Sequence, residues 1–391
     1  MTTKYDAIII GLGAMGSAAA YQLARKGAVV LGIDRFSPPH KQGSSHGDTR
    51  IIRQAIGEGV EYTPLVLRSY ELWDEIQQAT GKPVLTITGG LIMTGAAGSM
   101  RHGSSFLEQT VASAHQYNIP HSILDAGQIA ERFPQFKLRG SEQGYFEEKA
   151  GFLRPELCIE AQLELAQRHA AHLAFNEKVV RFTPTKDEVI VQTTRGTYIA
   201  SKAILSAGPW ISQFLGEKLR RNFKVYRQVL YWFDVGGSIE QFEMPDFPIW
   251  IWEFGANAGD ILYGFPAIDG PHGGVKLATE QYAATADPDT VSRQVSPQEI
   301  QTMYQRYVQP NFVGLGKRCV KASACLYTVT PDHHFVIDVH PDYPHVIIAS
   351  PCSGHGFKHS AAIGEVLAEL AIEGKSRLDI SKFSLARFNI A

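Results

Sequence analysis

The sequence is poor in cysteine. Its four, Cys158, Cys319, Cys325 and Cys352, are irregularly spaced and form no C-x-x-C pair. That argues against a disulfide framework or a zinc site and fits a reducing, cytoplasmic compartment. An excess of one charge is also missing. Lys and Arg number 37 against 39 Asp and Glu, a formal net charge of −2, so nothing points to nucleic acid or an anionic membrane as a partner. There is no internal repeat and no low-complexity tract. The uncharged run Ala7 to Ala24 is long enough to suggest a membrane span. It is mostly small residues, however, and Gly11, Gly13 and Gly16 interrupt it. It does not read as a signal peptide either, because Lys4 is balanced by Asp6. The expectation is a soluble protein.

What is present is ordinary globular composition, 44% apolar and 19% charged in 391 residues, with chain enough for about two or three domains. Residues 5–35, YDAIIIGLGAMGSAAAYQLARKGAVVLGIDR, organise the rest. An apolar run from Ala7 to Ile10 predicts a strand. A turn through Gly11, Gly13 and Gly16 follows, then a small-residue helix to Lys26 and a second strand from Ala28 to Ile33, ended by Asp34. In such a G-x-G-x-x-G unit the first glycine makes the tight turn and the second lets backbone approach a pyrophosphate. The third lets helix and strand pack closely. The helix start offers free N–H groups and a positive dipole end. Asp34, 18 residues past Gly16, can accept hydrogen bonds from ribose hydroxyls. The pattern predicts a dinucleotide site. It argues against a 2′-phosphate, which Asp34 would repel, but leaves FAD and NAD open.

Further along, a polar loop reaches Arg53. Thr63-Pro64 predicts an N-cap and first-turn proline, and Leu65, Leu72, Trp73 and Ile76 mark the buried side of the helix that follows. Pro83 to Met93 reads as strand and turn. Helices are predicted over Ser104 to Tyr117, Ala126 to Arg132 and residues 156–169. Val189 to Gln192 and Thr197 to Ala200 flank a hairpin turn, Ala203 to Leu205 reads as a short strand, and 223–235 alternates as a strand. The aromatic-rich segment 246–266 reads as core or sheet face. Phe335 to Val339 and Val346 to Ala349 predict strands, and Ile363, Val366, Leu367 and Leu370 predict a helix stopped by Gly374. Nucleotide features thus lie at both ends, with β-rich sequence between. The expected architecture is α/β (α+β): a discontinuous Rossmann-like domain of residues 1–85, 152–222 and 322–391, with an antiparallel sheet domain of residues 86–151 and 223–321 inserted into it.

Four constellations could carry chemistry. Arg50 and Arg53, three apart in SSHGDTRIIR, suit recognition of a carboxylate or phosphate as readily as a salt-bridged surface loop. Ser353-Gly354-His355-Gly356-Phe357-Lys358 enters a helix and lets backbone approach a planar ligand, or is simply a glycine-rich loop with a solvated lysine. Cys325 alone would be a buried small hydrophobe. Lys276, in a sheet, would belong to a solvated face.

Taken together, GLGAMG, PPHKQGSSHGDTRIIR, GEGVEYTPLVLRS, ACLYTVTPDHHFVID and SGHGFK resemble the monomeric sarcosine oxidase and N-methyltryptophan oxidase family of flavoproteins, nearly end to end. The resemblance implies a monomeric FAD enzyme. It would oxidise a secondary or tertiary amino acid, N-methyl or cyclic, to an imine and reduce O₂ to H₂O₂. The alternative electron acceptor is a carrier, as in a dehydrogenase. It implies that Cys325 carries the flavin through a thioether and that Arg53 and Lys358 hold the substrate carboxylate. Arg50 lies beside the flavin, His46, Tyr263 and Tyr327 line the site, and Lys276 promotes oxygen reduction. The cofactor contacts it implies are Gly11, Gly13, Met15, Gly16, Asp34, Arg35, Ser44, Val179, Ala207 and Gly208, with Gly354 to Lys358 at the other end. Ile251 and Glu280 would join the substrate pocket. Two positions depart from the family pattern. Ser45 stands where members carry a second histidine, and Glu280 stands where the family has an active-site histidine. The bulk of Trp250-Ile251-Trp252, with the carboxylate of Glu280, leads to the expectation of a substrate larger than sarcosine, bearing extra positive charge.

Overall fold

The strand Lys4–Ile10 and the strand Val30–Ile33 lie side by side and parallel, joined by the helix Ala14–Arg25. This is the unit expected of the first 35 residues. The computed structural model describes residues 4–95, 106–255 and 260–388. Lys4–Ile10 pairs on its other edge with Thr197–Leu205, also in parallel. That long strand joins the two pieces read separately from the sequence. Residues Thr197–Ala200 face Val189–Thr193 as an antiparallel hairpin, whereas Ala203–Leu205 face Tyr343–Ser350 in parallel. The chain's last third thereby returns to its beginning. The sheet has eight strands, including His172–Ala174 at one edge, Val179–Pro184 at the other, and Val336–His340 beside Tyr343–Ser350. The parallel strands are apolar and buried where they pair at the centre, over Ala7–Ile10, Val30–Ile33 and Ala203–Leu205. The helices Ala14–Arg25, Pro155–Arg168, Thr63–Thr80 and Ser360–Glu373 share one buried cluster with residues of the sheet.

A second eight-stranded sheet follows the order Leu315–Val329, Lys224–Val235, Val275–Ala278, Ile261–Gly264, Ile249–Glu253, Gly90–Thr94, Gln143–Glu147, Ser122–Asp125. All its pairs are antiparallel except Ile249–Glu253 with Gly90–Thr94. The expected boundary at 321/322 falls inside the strand Leu315–Val329. A small three-stranded sheet, Arg50–Ile52, Gly151–Leu153 and Leu85–Ile87, stands apart from both.

Two local readings need correction, and one lies partly outside the described residues. Thr63 does not cap its helix. The helix Thr63–Thr80 has no side-chain cap and is entered from the short 3-10 turn Val60–Tyr62, while Thr63 Oγ1 lies 2.7 Å from Ser113 Oγ. The helix predicted over Ser104 to Tyr117 is present over Phe106–Gln116, and Ser104 and Ser105 lie outside the described residues. Trp250 and Trp252 are fully buried and pack their rings on Phe136. Alternation along Ile249–Glu253 puts both on the core side and leaves Ile251 between them facing the cavity, so their bulk does not bear on substrate size. Among the described residues no helix is long and apolar enough to cross a membrane, and no cluster of His, Cys, Asp or Glu could hold a metal ion.

Candidate active site

A cavity of about 310 Å³ runs from the glycine turn after the first strand to the loop before the last helix. At the first end, Gly11 has φ +92°, and a Cβ there would stand 2.7 Å from Ser206 O. The helix Ala14–Arg25 has Gly13 as its N-cap, with no side-chain cap and no acid in its first turn. Its opening N–H groups therefore suit an anion, which a pyrophosphate would supply. Ser45 Oγ, 3.4 Å from Ala14 N, joins this cradle. Asp34 is buried at the end of Val30–Ile33, accepting from Leu12 N at 2.7 Å and Phe36 N at 2.8 Å. These bonds aim the carboxylate, and its oxygens keep capacity for a ribose hydroxyl. Met15, Arg35, Ser44, Val179, Ala207 and Gly208 line the same end. Gly16 lies behind it, where a Cβ would meet Gly11 O at 1.8 Å. The donor set, the acid and the backbone clearance fit the dinucleotide half of FAD.

At the far end, Gly354 to Lys358 line the cavity. There Arg53 and Lys358, 305 positions apart in the sequence, converge on one carboxylate. Glu58 Oε2 lies 2.5 Å from Arg53 Nη2 and its Oε1 lies 3.3 Å from Lys358 Nζ. Arg53 is 1% exposed. It also donates to Ala55 O and rides over the Phe106 ring at 5.0 Å. Its Nε has no partner among the described residues. Lys358 Nζ donates to His355 O at 2.9 Å. Burial opposes charge on both sides of this triad. It lowers Lys358 to about 8 against the pull of Glu58, whereas in Glu58 the two cations, Arg53 foremost, overcome burial and hold the carboxyl well below its usual value.

Between these ends stand Arg50, Ile251, Tyr263, Glu280 and Tyr327. Arg50 is anchored through Thr49 O at 2.8 Å and Ser44 O at 2.9 Å. The hydroxyls of Tyr263 and Tyr327 are 3.4 Å apart. Glu280 accepts from Tyr282 OH at 2.8 Å. Besides Gly16, three expected residues do not line the cavity. His46 is buried behind it, with neither ring nitrogen partnered among the described residues. Burial, then Arg50, lowers it to about 3 and keeps it neutral. Lys276 is buried on the strand Val275–Ala278 and donates to Gly47 O at 2.6 Å, Thr49 O at 2.7 Å and Thr49 Oγ1 at 3.0 Å. Cys325, 2% exposed, sits in an apolar cluster with Tyr327 and Trp232. Burial raises its thiol, and Arg50 and Lys276 pull the other way.

Glu58, the carboxylate that joins the two cations, is not among the residues expected in the site. Its signal was an acid between two glycines, five residues past Arg53.

Residues 6–370 match the family described as FAD dependent oxidoreductase. The chain is 41% identical over 394 residues to a monomeric sarcosine oxidase of Streptomyces avermitilis, with all of both chains covered. It is 36% identical over 393 residues to an N-methyl-L-tryptophan oxidase of Salmonella dublin, covering 99% of this chain and all of the relative. In three dimensions it resembles NikD, described as an unusual amino acid oxidase essential for nikkomycin biosynthesis, with a TM-score of 0.85 at 22% identity over 98% of both chains. With a dinucleotide cradle built from the first strands and a match that runs nearly end to end, the chain belongs to the FAD-dependent oxidoreductase family.

Proposed function

We propose that this protein oxidises a secondary or tertiary amino acid, N-methylated or cyclic, using FAD and releasing hydrogen peroxide. The observation that carries the reading is the convergence of Arg53 and Lys358 on a single carboxylate at the cavity's far end. A guanidinium fork and a point charge together suit a substrate carboxylate, and Glu58 holds that place until a substrate displaces it.

FAD supplies the two-electron chemistry, accepting electrons from a carbon–nitrogen bond and passing them to O₂. The protein binds and orients. With its carboxylate between Arg53 and Lys358, the amino acid lays its amine toward Tyr263, Tyr327 and Ile251. Only a neutral amine can be oxidised. The surrounding cations disfavour its protonated form, as like charge does. The imine leaves and is hydrolysed by water to an aldehyde and an amine. Glu280, a carboxylate in the same wall, suits a substrate with a further positive group. Cys325 would carry the flavin through a thioether. Lys276 would favour oxygen reduction by placing a cation close to where negative charge develops on oxygen. In this reading the enzyme works as a soluble cytoplasmic monomer.

A panel of N-methylated and cyclic amino acids, followed by O₂ uptake and peroxide release, tests the reading. Equimolar peroxide and O₂ with at least one of them is expected. Dye reduction without O₂ uptake would instead indicate a dehydrogenase that uses a carrier. Acid precipitation should leave yellow colour in the pellet, and in Cys325→Ser it should move to the supernatant.

A further inference from the structure

The turn at Gly47 and Asp48, just before the strand Arg50–Ile52, has an arrangement that the assigned roles do not use. Gly47 and Asp48 have φ +99° and +68°, so consecutive N–H groups turn to one side, as in an anion-binding nest. On that side is Glu156, in the first turn of the helix Pro155–Arg168. Its Oε1 accepts from Gly47 N at 2.6 Å and from Asp48 N at 3.3 Å. On the other side is Lys276, whose Nζ donates to Gly47 O at 2.6 Å. The N–H of Asp48 and the C=O of Gly47 belong to the same peptide group. One peptide dipole therefore has a carboxylate at its positive end and an ammonium at its negative end.

Both ends gain. A hydrogen bond at either end of a peptide polarises it and strengthens the bond at the other. Among the described residues, Lys276 has no carboxylate in direct contact. Its three acceptors are two carbonyls and a hydroxyl, a set that matches the three protons of an ammonium. Burial, then Arg50 on the strand Arg50–Ile52 of the small sheet, pulls the Lys276 amine well below the usual lysine value, and His46 beside it is neutral. Asp48 supports that charge through space and is itself engaged by Lys321 at 2.5 Å, and Cys325 is a thiol whose ionisation burial discourages. That leaves Glu156 as the carboxylate whose charge reaches Lys276 through hydrogen bonds.

We propose that Glu156 is a positioning residue that acts through the Gly47–Asp48 peptide to keep the Lys276 ammonium charged and in place. The inference rests on the proposed oxygen role of Lys276 only for its kinetic consequence, and the coupling itself can be measured without it.

The test follows the Lys276 Nζ by ¹⁵N NMR of lysine-labelled holoenzyme, with Lys276→Met to assign the signal. In Glu156→Gln, which keeps an acceptor for Gly47 N but loses the charge, the titration midpoint should fall by about half a unit or more, roughly a threefold change in the protonation equilibrium. Glu156→Ala, which loses both, should shift it at least as far. An unchanged midpoint in both variants would overturn the proposal, as would a shift in Glu156→Ala alone, because that would make the hydrogen bond rather than the charge responsible. The pH profile of flavin reoxidation by O₂ should move to lower pH with the NMR midpoint. If Lys276→Met reoxidised at the normal rate, the oxygen role of Lys276 would fail while the coupling would still be judged by NMR.

Discussion

Glu58 Oε1 lies 3.3 Å from Lys358 Nζ, a contact that spans 300 residues of chain. With Arg53 on its other oxygen at 2.5 Å, Glu58 is the internal counter-ion of the place where a substrate carboxylate would dock. Removing its charge has two opposed consequences. Glu58→Gln no longer competes for the cations, so a small carboxylate should bind about tenfold more tightly, or ~1.4 kcal/mol. The same change removes the carboxylate in direct contact with two buried cations, which costs about 3–5 kcal/mol of stability. Titrating the flavin absorbance with a carboxylate, and denaturing the ligand-free variant in urea, checks both. Unchanged affinity and unchanged stability together would mean that Glu58 is not the counter-ion.

The same triad sets a pH dependence in two separate windows, and in both of them stability rises with pH. Lys358 is lowered to about 8, by burial before all else, so carboxylate affinity should be constant below that pH and fall as Lys358 loses its proton above it. In Lys358→Met the fall should vanish and affinity should be weaker throughout by about 2 kcal/mol or more. For stability, Lys358 binds fewer protons folded than unfolded between about pH 8 and 10.5, so this group makes stability rise with pH across that window. The carboxyl of Glu58 is held below its usual value, with Arg53 and Lys358 outweighing burial. It contributes stability in full above about pH 4.5, lost as pH falls through the lower folded value. Urea midpoints from pH 3 to 6 should show that loss in the native protein and not in Glu58→Gln.

How far the sequence could be read depended on how local each feature was. The glycine turn, its helix and Asp34 sit within one short stretch and report directly on backbone geometry. Val189 to Gln192 with Thr197 to Ala200 was legible as a hairpin for the same reason. Trp250 and Trp252 were misread by taking a segment as a unit. A strand sends alternate side chains to opposite faces, and only Ile251 of the three faces the cavity. Glu58 and Glu156 were passed over because an isolated acid is ordinary until its partners are known. Those partners are Lys358 and the Gly47 turn, 109 residues from Glu156, and no local pattern encodes such distances. Lys276 was found by family resemblance, but its place behind the turn, rather than on the cavity wall, came from the structure alone.

Glu280 should govern substrate choice. It lines the cavity beside Tyr263 and Tyr327, with its carboxylate held by Tyr282 OH at 2.8 Å. A carboxylate in a partly desolvated wall favours a cationic group on the ligand and penalises an apolar one. In Glu280→Gln, kcat/KM for an N-methyl amino acid with a second amino group should fall about tenfold or more relative to a neutral one of similar size. The ratio of the two constants, measured on one preparation, is the relevant reading. An unchanged ratio would remove Glu280 from substrate selection.

The C-terminal loop should tolerate no side chain at Gly356. A Cβ there would stand 1.6 Å from Pro351 O and 2.6 Å from Pro351 C, both backbone atoms that cannot rotate aside. Gly356→Ala must therefore push apart the two arms of the turn that carries His355 and Lys358. Overpacking of this kind costs about 1–3 kcal/mol where neighbours can yield, and more where they are backbone. Because Lys358 Nζ is anchored on His355 O at 2.9 Å, the displaced turn should carry the ammonium away from Arg53 and Glu58. The expected variant is folded but less stable, with reduced flavin content per chain and weakened carboxylate binding. Ser353→Ala in the same loop adds no bulk and serves as the control. A Gly356→Ala protein with normal flavin absorbance, melting temperature and carboxylate affinity would show that the loop can relax without disturbing the cation pair.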